Sequence, residues 1–234
     1  MNYNNRYYVD NDRMTYAQEP SLAGVYGWMS FGLLVTATVA LFVVSNPSIL
    51  SFLFKNPTIF FGVFLIQIAL VVALSSMIQH LSFAAAASCF IGYSALTGLS
   101  LSTLAVIYTG ASLATTFGAA ALMFGIMALY GYATNSDLSS WGSFLLMGLI
   151  GLVVANIITI FTTNPVFELT VAAIGIFVFA LLTAYDVQRI KNLLSQVSDH
   201  QAYSKLALLG ALTLYLNFIN IFIYMLQFLG KKRE

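Results

Sequence analysis

Apolar residues in this chain come in uninterrupted runs separated by short polar breaks, with neither the strict alternation of a half-buried strand nor the single stripe of a surface helix. A helix that is hydrophobic all round belongs in a large core or in lipid, and about 20 such residues cross a bilayer. The first run is GVYGWMSFGLLVTATVALFVV, from about Gly24 to Val44. SNPS and KNPT follow, so Pro47 and Pro57 read as helix stops and Lys55 as the charge of an interfacial loop. A second crossing runs from about Ile59 to Met77. Between Asn56 and Ser136 no Asp, Glu, Lys or Arg occurs, and weaker signals divide the stretch: QHLS, YTGAS, and ATNSDLSS with Asp137 at a helix start. Helix three is then expected over about Phe83 to Ile107, helix four over Leu113 to Tyr132 and helix five over Trp141 to Phe161. TTNP ends the fifth, the sixth spans about Phe167 to Asp186, and the seventh about Leu206 to Leu229.

Composition turns this pattern into a class. Hydrophobic residues make up 60% of the 234 and charged residues 7%, against roughly 25% charged in a soluble domain. The expected fold is an all-α integral membrane protein, with a polar amino-terminal tail over residues 1–23, a seven-helix domain over 24–230 and a basic tail over 231–234. Because residues 1–20 are polar, the first run is read as a retained span and not as a secretory signal. A net charge of +1 without a basic stripe argues against a nucleic-acid partner; the bilayer itself is the expected one. Basic residues divide five against four between the two sides, too evenly to orient the chain. No internal repeat supports an inverted-repeat transporter.

Few residues offer chemistry. Cys89 has no cysteine partner and reads as helix packing, and His80 and His200 fall in polar connections without ligand spacing, so neither a metal nor another cofactor is expected. Of the eight acids, Asp186 alone lies against a long apolar run, in LLTAYDVQRI, three residues before Arg189, which suits a helical ion pair. Asn217 and Asn220 sit mid-helix in LTLYLNFINIFIYMLQFL, where amides need partners; Gln67 and Asn156 pose the same demand, and interhelical hydrogen bonding is the ordinary answer. The small residues of YSALTGLSLST suit close helix packing, with a hydrated path as the rarer use. Trp28, Trp141, Tyr26, Tyr108 and Tyr132, near helix ends, fit an aromatic belt.

Six separated segments, in order, resemble the bacterial branch of the Bax inhibitor-1 family: VYGWM, ALVVALSSMIQHLS, YSALTGLSLS, MALYGYATNSDLS, LTAYDVQRIKN and GALTLYLNFINIF. The similarity runs from about Val25 to the carboxyl end. It implies a seven-helix bundle with the last helix central, in a bacterial inner membrane, and a pH-sensitive calcium leak; eukaryotic members are linked to suppression of cell death. It also implies a proton shared between two aspartates, in YD and LYLDFIN motifs. Asp186 matches the first, but Asn217 occupies the second position, and the arginine that some relatives carry late in helix two is missing from LSSMIQHLS. Two close carboxylates cannot easily both ionise, and an Asp and Asn pair loses that like-charge coupling, so any pH gate here should be altered.

The leading expectation is therefore a cation leak, with calcium as the ion and Asp186, Asn217, Arg189 and Asn220 as pathway or pH-sensing candidates. No catalytic residue is assigned. An intramembrane aspartyl protease needs two carboxylates, which Asn217 denies it, and the GxSxG of a serine hydrolase is absent. The competing class is a non-catalytic regulator whose partners are other membrane proteins, such as membrane proteases or components of stress and cell-death responses.

Overall fold

The computed structural model describes residues 21–162 and 164–233; most of the polar amino-terminal tail, with Arg6, Asp10, Asp12, Arg13 and Glu19, lies outside the described residues. Among these residues the chain forms nine helices: α1 (Ala23–Val44), α2 (Pro47–Lys55), α3 (Pro57–Met77), α4 (Phe83–Leu101), α5 (Leu104–Ile107), α6 (Gly110–Ala133), α7 (Trp141–Phe161), α8 (Pro165–Ser195) and α9 (His200–Leu229). Seven are long and apolar enough to cross a membrane, with α4 and α5 counted as one span. The seven-crossing, all-helical expectation holds.

Four boundaries differ from the sequence reading, each for a physical reason. Pro47 and Pro57 start helices instead of stopping them, because the first turn needs no intrahelical N–H, so the connection after α1 is itself the short helix α2. The third span breaks after Leu101, where the Ser102 and Thr103 hydroxyls donate to the carbonyls of Leu99 (2.6 Å) and Ser100 (2.8 Å) and draw the chain out of line. Asp137 does not start a helix: its carboxylate accepts from Ser139 N–H at 2.9 Å in the turn before α7, and hydrogen bonds from Ser139 hold its carboxyl below the usual range. Finally, α8 continues nine residues past Asp186 and α9 begins at His200, so both helices extend into the polar connection. At 31 residues α8 is about 46 Å long, well over the roughly 30 Å of a hydrocarbon core.

Its protruding end organises the neighbouring connections. The side chain of Gln188 accepts from Leu138 N–H (2.8 Å) and donates to Ser136 C=O (2.9 Å). Lys191 Nζ donates to Tyr132 C=O at 3.1 Å, at the end of α6, and lies 4.4 Å from the centre of that tyrosine ring. Lys205 Nζ similarly reaches Gln79 C=O, just beyond α3, at 3.3 Å. Cations here satisfy carbonyls that a helix terminus leaves free. Helix starts are served by Ser82, Thr109, Asn164 and Asp199, whose side-chain oxygens accept from N–H groups of the first turn. At the other end, residues 231–233 run antiparallel to 107–109, with Arg233 N–H donating to Ile107 C=O (2.8 Å) and Thr109 N–H to Lys231 C=O (3.2 Å).

α9 is the centre of the bundle. Two thirds of its most apolar stretch is buried (67%), whereas no other span exceeds 33% and α3 and α7 reach only 11%. It packs against α1, α4, α6 and α8 and supplies the fully buried Leu208, Leu212, Leu214, Tyr215, Ile221 and Leu226. Outward faces carry Leu34, Leu41, Leu122, Phe144, Phe161 and Phe177 exposed, as lipid requires. Tyr132 suits the expected belt, but Tyr108 is buried against Gly230, and Trp28 is half-buried with its ring edge-to-face on Phe31, Phe83 and Phe90.

Close approaches rest on glycines. A Cβ on Gly131 would collide with the backbone of Ala184, which brings α6 onto α8, and one on Gly98 would meet Thr36 backbone and lie 2.9 Å from Val39 Cβ, between α4 and α1. Gly98→Ala should cost about 1–3 kcal/mol through overpacking. Gly118→Ala, where a Cβ meets nothing within 4 Å, should be neutral or stabilise by up to about 1 kcal/mol. Thermal unfolding of the detergent-solubilised variants reads the difference, and equal midpoints for the two would contradict this packing.

Candidate functional site

Asp186 is buried on α8 and Asn217 is buried on α9 (7% and 5% exposed). The amide Nδ2 of Asn217 donates to Asp186 Oδ2 at 2.7 Å, within the range of a charge-assisted bond. The sequence pairs Asp186 with Arg189 by its i, i+3 spacing; in the structure both line one cavity, and the direct hydrogen bond to the carboxylate comes from elsewhere. Arg189 is exposed, and among the described residues the hydrogen bond to the Asp186 side chain comes from α9.

This pair borders a cavity of about 1040 Å³ framed by α7, α8 and α9, with Phe64 reaching it from α3. On α9 the lining positions are Thr213, Leu216, Asn217, Asn220, Ile223, Tyr224 and Gln227, the three-and-four spacing of one helix face. The polar members form a stripe on a helix otherwise wrapped in apolar contacts. Asn220 Nδ2 donates to its own Leu216 C=O at 2.8 Å and touches no other helix through that bond, so it faces the cavity without tying the bundle. Asn156 on α7 donates to Leu152 C=O (2.7 Å) and to Tyr224 OH (2.8 Å), joining α7 to α9 one side of the cavity from Asp186. Gln227 is exposed near the carboxyl end of the stripe.

A second polar seam lies on the other flank of α9. Tyr215 OH and Thr36 Oγ1 are 2.6 Å apart, Thr36 donates to Ser94 C=O at 2.9 Å, and Gln67 Nε2 donates to Thr97 Oγ1 at 3.0 Å. In the small-residue stretch the hydroxyls of Ser94, Thr97, Ser102 and Thr103 donate to carbonyls of their own chain segment, and that of Thr97 also accepts the interhelical bond from Gln67. Among the described residues no buried side-chain nitrogen or oxygen lacks a partner, and no three His, Cys, Asp or Glu side chains gather as a metal site would need. Asp137, Glu168 and Asp199 are exposed. His80 is exposed in the turn after α3, and His200 opens α9 instead of lying in a loop. Sequence reading singled out neither Tyr215, Tyr224 nor Thr213; the recurrence of polar residues at 213, 217, 220, 224 and 227 is the signal that marks the cavity face.

What this geometry defines is a multi-pass membrane protein whose enclosed last helix presents one amide to one buried carboxylate beside a cavity. The chain belongs to the Bax inhibitor-1 family: the sequence model described as "Inhibitor of apoptosis-promoting Bax1" matches residues 19–234. It is 45% identical over 214 residues to inner membrane protein YbhL of Escherichia coli, covering 91% of this chain and 92% of that protein. An uncharacterized protein of Borreliella burgdorferi is 40% identical and one of Deinococcus radiodurans 41% identical, each over 91% of this chain and 92% and 90% of theirs.

The Asn156 and Tyr224 pair should behave as interhelical glue. Asn156→Leu and Tyr224→Phe should each cost about 0.6–1.7 kcal/mol, and the double variant should cost less than their sum. Thermal unfolding of the three variants checks this, and strict additivity would show that the bond contributes nothing.

Proposed function

We propose that this protein is a cation leak pathway of Bax inhibitor-1 type in the bacterial inner membrane, non-enzymatic, with calcium as its ion and an altered pH gate. The observation that carries the reading is the buried Asp186 carboxylate at the wall of a cavity about 1040 Å³ in volume, held there by Asn217 from the central helix. An ionisable side chain inside a membrane span is expensive and marks an ion path by default. Calcium takes six to eight oxygen ligands in flexible geometry. Asp186 supplies the charge, and the free amide oxygens of Asn217 and Asn220 with the Thr213 hydroxyl supply neutral oxygens along the same α9 face. Waters complete the shell as the ion passes.

The gate follows from the same pair. A dyad of carboxylates would change charge as its shared proton leaves; Asp186 with Asn217 has one charge and no like-charge coupling. The hydrogen bond from the Asn217 amide ties α8 to α9 without a second ionisable group, so opening here depends on separating Asn217 from Asp186 more than on a shared proton. Arg189, exposed and lining the same cavity, sets a positive charge near the carboxylate that a passing cation meets as well.

Calcium flux in proteoliposomes from about pH 5 to about pH 8 tests the reading. Asp186→Asn should lower flux at least about tenfold and leave it flat with pH, since one unit charge at close range is worth well over about 1.4 kcal/mol in a partly hydrated site. Asn217→Asp should create a coupled dyad and steepen the pH dependence. Identical profiles for the wild type and both variants would remove the pair from the path and favour a regulator that acts by binding other membrane proteins.

A further inference from the structure

The cavity beside Asp186 has two unlike walls. On α7 it is lined mainly by Leu146, Leu149, Val153, Ile157 and Ile160, with Ser143 and Asn156 as the polar exceptions, a surface that offers water few of the two to four polar partners it needs. On α9 the amides are already engaged, Asn217 with Asp186, Asn220 with Leu216 C=O, and Asn156 opposite them with Tyr224. A chain of methylenes laid along the α7 wall leaves these hydrogen bonds unbroken, and it must run clear of the Asp186 carboxylate and the free amide oxygens on the α9 side. Along α9 the lining runs from Thr213 to Gln227, about 21 Å at 1.5 Å per residue, longer than the roughly 15 Å depth of one leaflet's hydrocarbon.

The cavity is also open to the side. α7 packs on α8 and α3 packs on α4, so the two outermost spans do not close over the α9 face between them, and Phe64 is the α3 side chain that lines it. It meets a second, polar cavity of about 340 Å³. The two share Ser139, Tyr185 and Arg189, and the polar one adds Gln188, Asn192 and Gln196. The exposed guanidinium of Arg189 thus stands where an apolar slot opens into a polar mouth, beside surfaces that face lipid. An occupant with an anionic head and an apolar tail matches both parts, and the bilayer is where such a molecule is found.

We propose that the cavity holds one acyl chain of an anionic phospholipid, admitted sideways between α3 and α7, with its phosphate on Arg189. The guanidinium fork suits two phosphate oxygens, and Ser139 and Asn192 add neutral donors at the mouth. Binding as such does not depend on the leak reading. One consequence does: a phosphate on Arg189 cancels the positive charge at the rim of the cation path, while the chain fills the space through which an ion would pass, so lipid departure becomes part of opening.

Native mass spectrometry of the full-length protein in mild detergent, without calcium, tests binding apart from flux. Titrated with dioleoylphosphatidylglycerol, the wild type should retain one molecule per chain, and dioleoylphosphatidylcholine should be held about fivefold less, the weight of one basic side chain near an anionic headgroup. Arg189→Gln, an exposed position that the fold does not need, should bring the anionic lipid down to the zwitterionic level. Val153→Trp, which fills the slot, should release both lipids, whereas Ile150→Trp, exposed on the same helix and outside the lining, should release neither. Equal retention of the two lipids by the wild type, retention unchanged by Val153→Trp, or a free fatty acid held in the phospholipid's place would overturn the proposal. Calcium flux can fail in the same preparation without touching these results.

Discussion

One hydrogen bond inside the membrane, from Asn217 to Asp186 at 2.7 Å, sets the terms for the rest of the bundle. Neither group can face hydrocarbon alone, because a lone buried carboxylate or amide costs several kcal/mol without water to solvate it. The helix that carries Asn217 must therefore be surrounded by protein, and it is: α1, α4, α6 and α8 wrap α9, and glycines at 98, 131 and 175 let the wrapping helices close in. α3 and α7 are left at the periphery, and the space they do not fill is the cavity.

Satisfying that requirement shapes what the site can do. A buried dyad of carboxylates would store a proton and switch with pH, whereas the acid and amide pair here stores a single charge and a single interhelical bond. The polar stripe of α9 continues from that bond toward Gln227, facing an apolar wall across the cavity. Under the two proposals made above, a hydrated cation and a lipid chain would compete for this one volume.

Seven spans were legible from run length alone, since a lipid-facing helix advertises itself by being apolar on every side. The breaks within them were less so. Pro47 and Pro57 look like stops in a linear reading, yet proline at the first helical position fits as well as proline after the last. The sixth span was read as ending at about Asp186, because a polar residue inside a span and one on a helix protruding from the membrane are the same letter; the bonds of Gln188 and Lys191 to the end of α6 and the connection after it tell them apart. Asp186 and Asn217 were identifiable as candidates from their chemistry and from the family resemblance. Their partnership depended on the rotation of α8, which sends Arg189 outward, and the cavity on the splay of α3 from α7. Neither rotation nor splay is written in the hydropathy of a single segment.

A double-mutant cycle on the Asp186 and Asn217 pair, with Asp186→Leu, Asn217→Leu and both together, measures most directly the bond on which this account rests. Unfolding free energies of the protein in lipid bilayers should show the two single variants coupled by about 1–3 kcal/mol, since either one alone strands a buried polar partner and the double variant strands none. Additive costs, with the double variant as destabilised as the sum of the singles, would mean that the two side chains do not hold one another and that α9 is enclosed for some other reason.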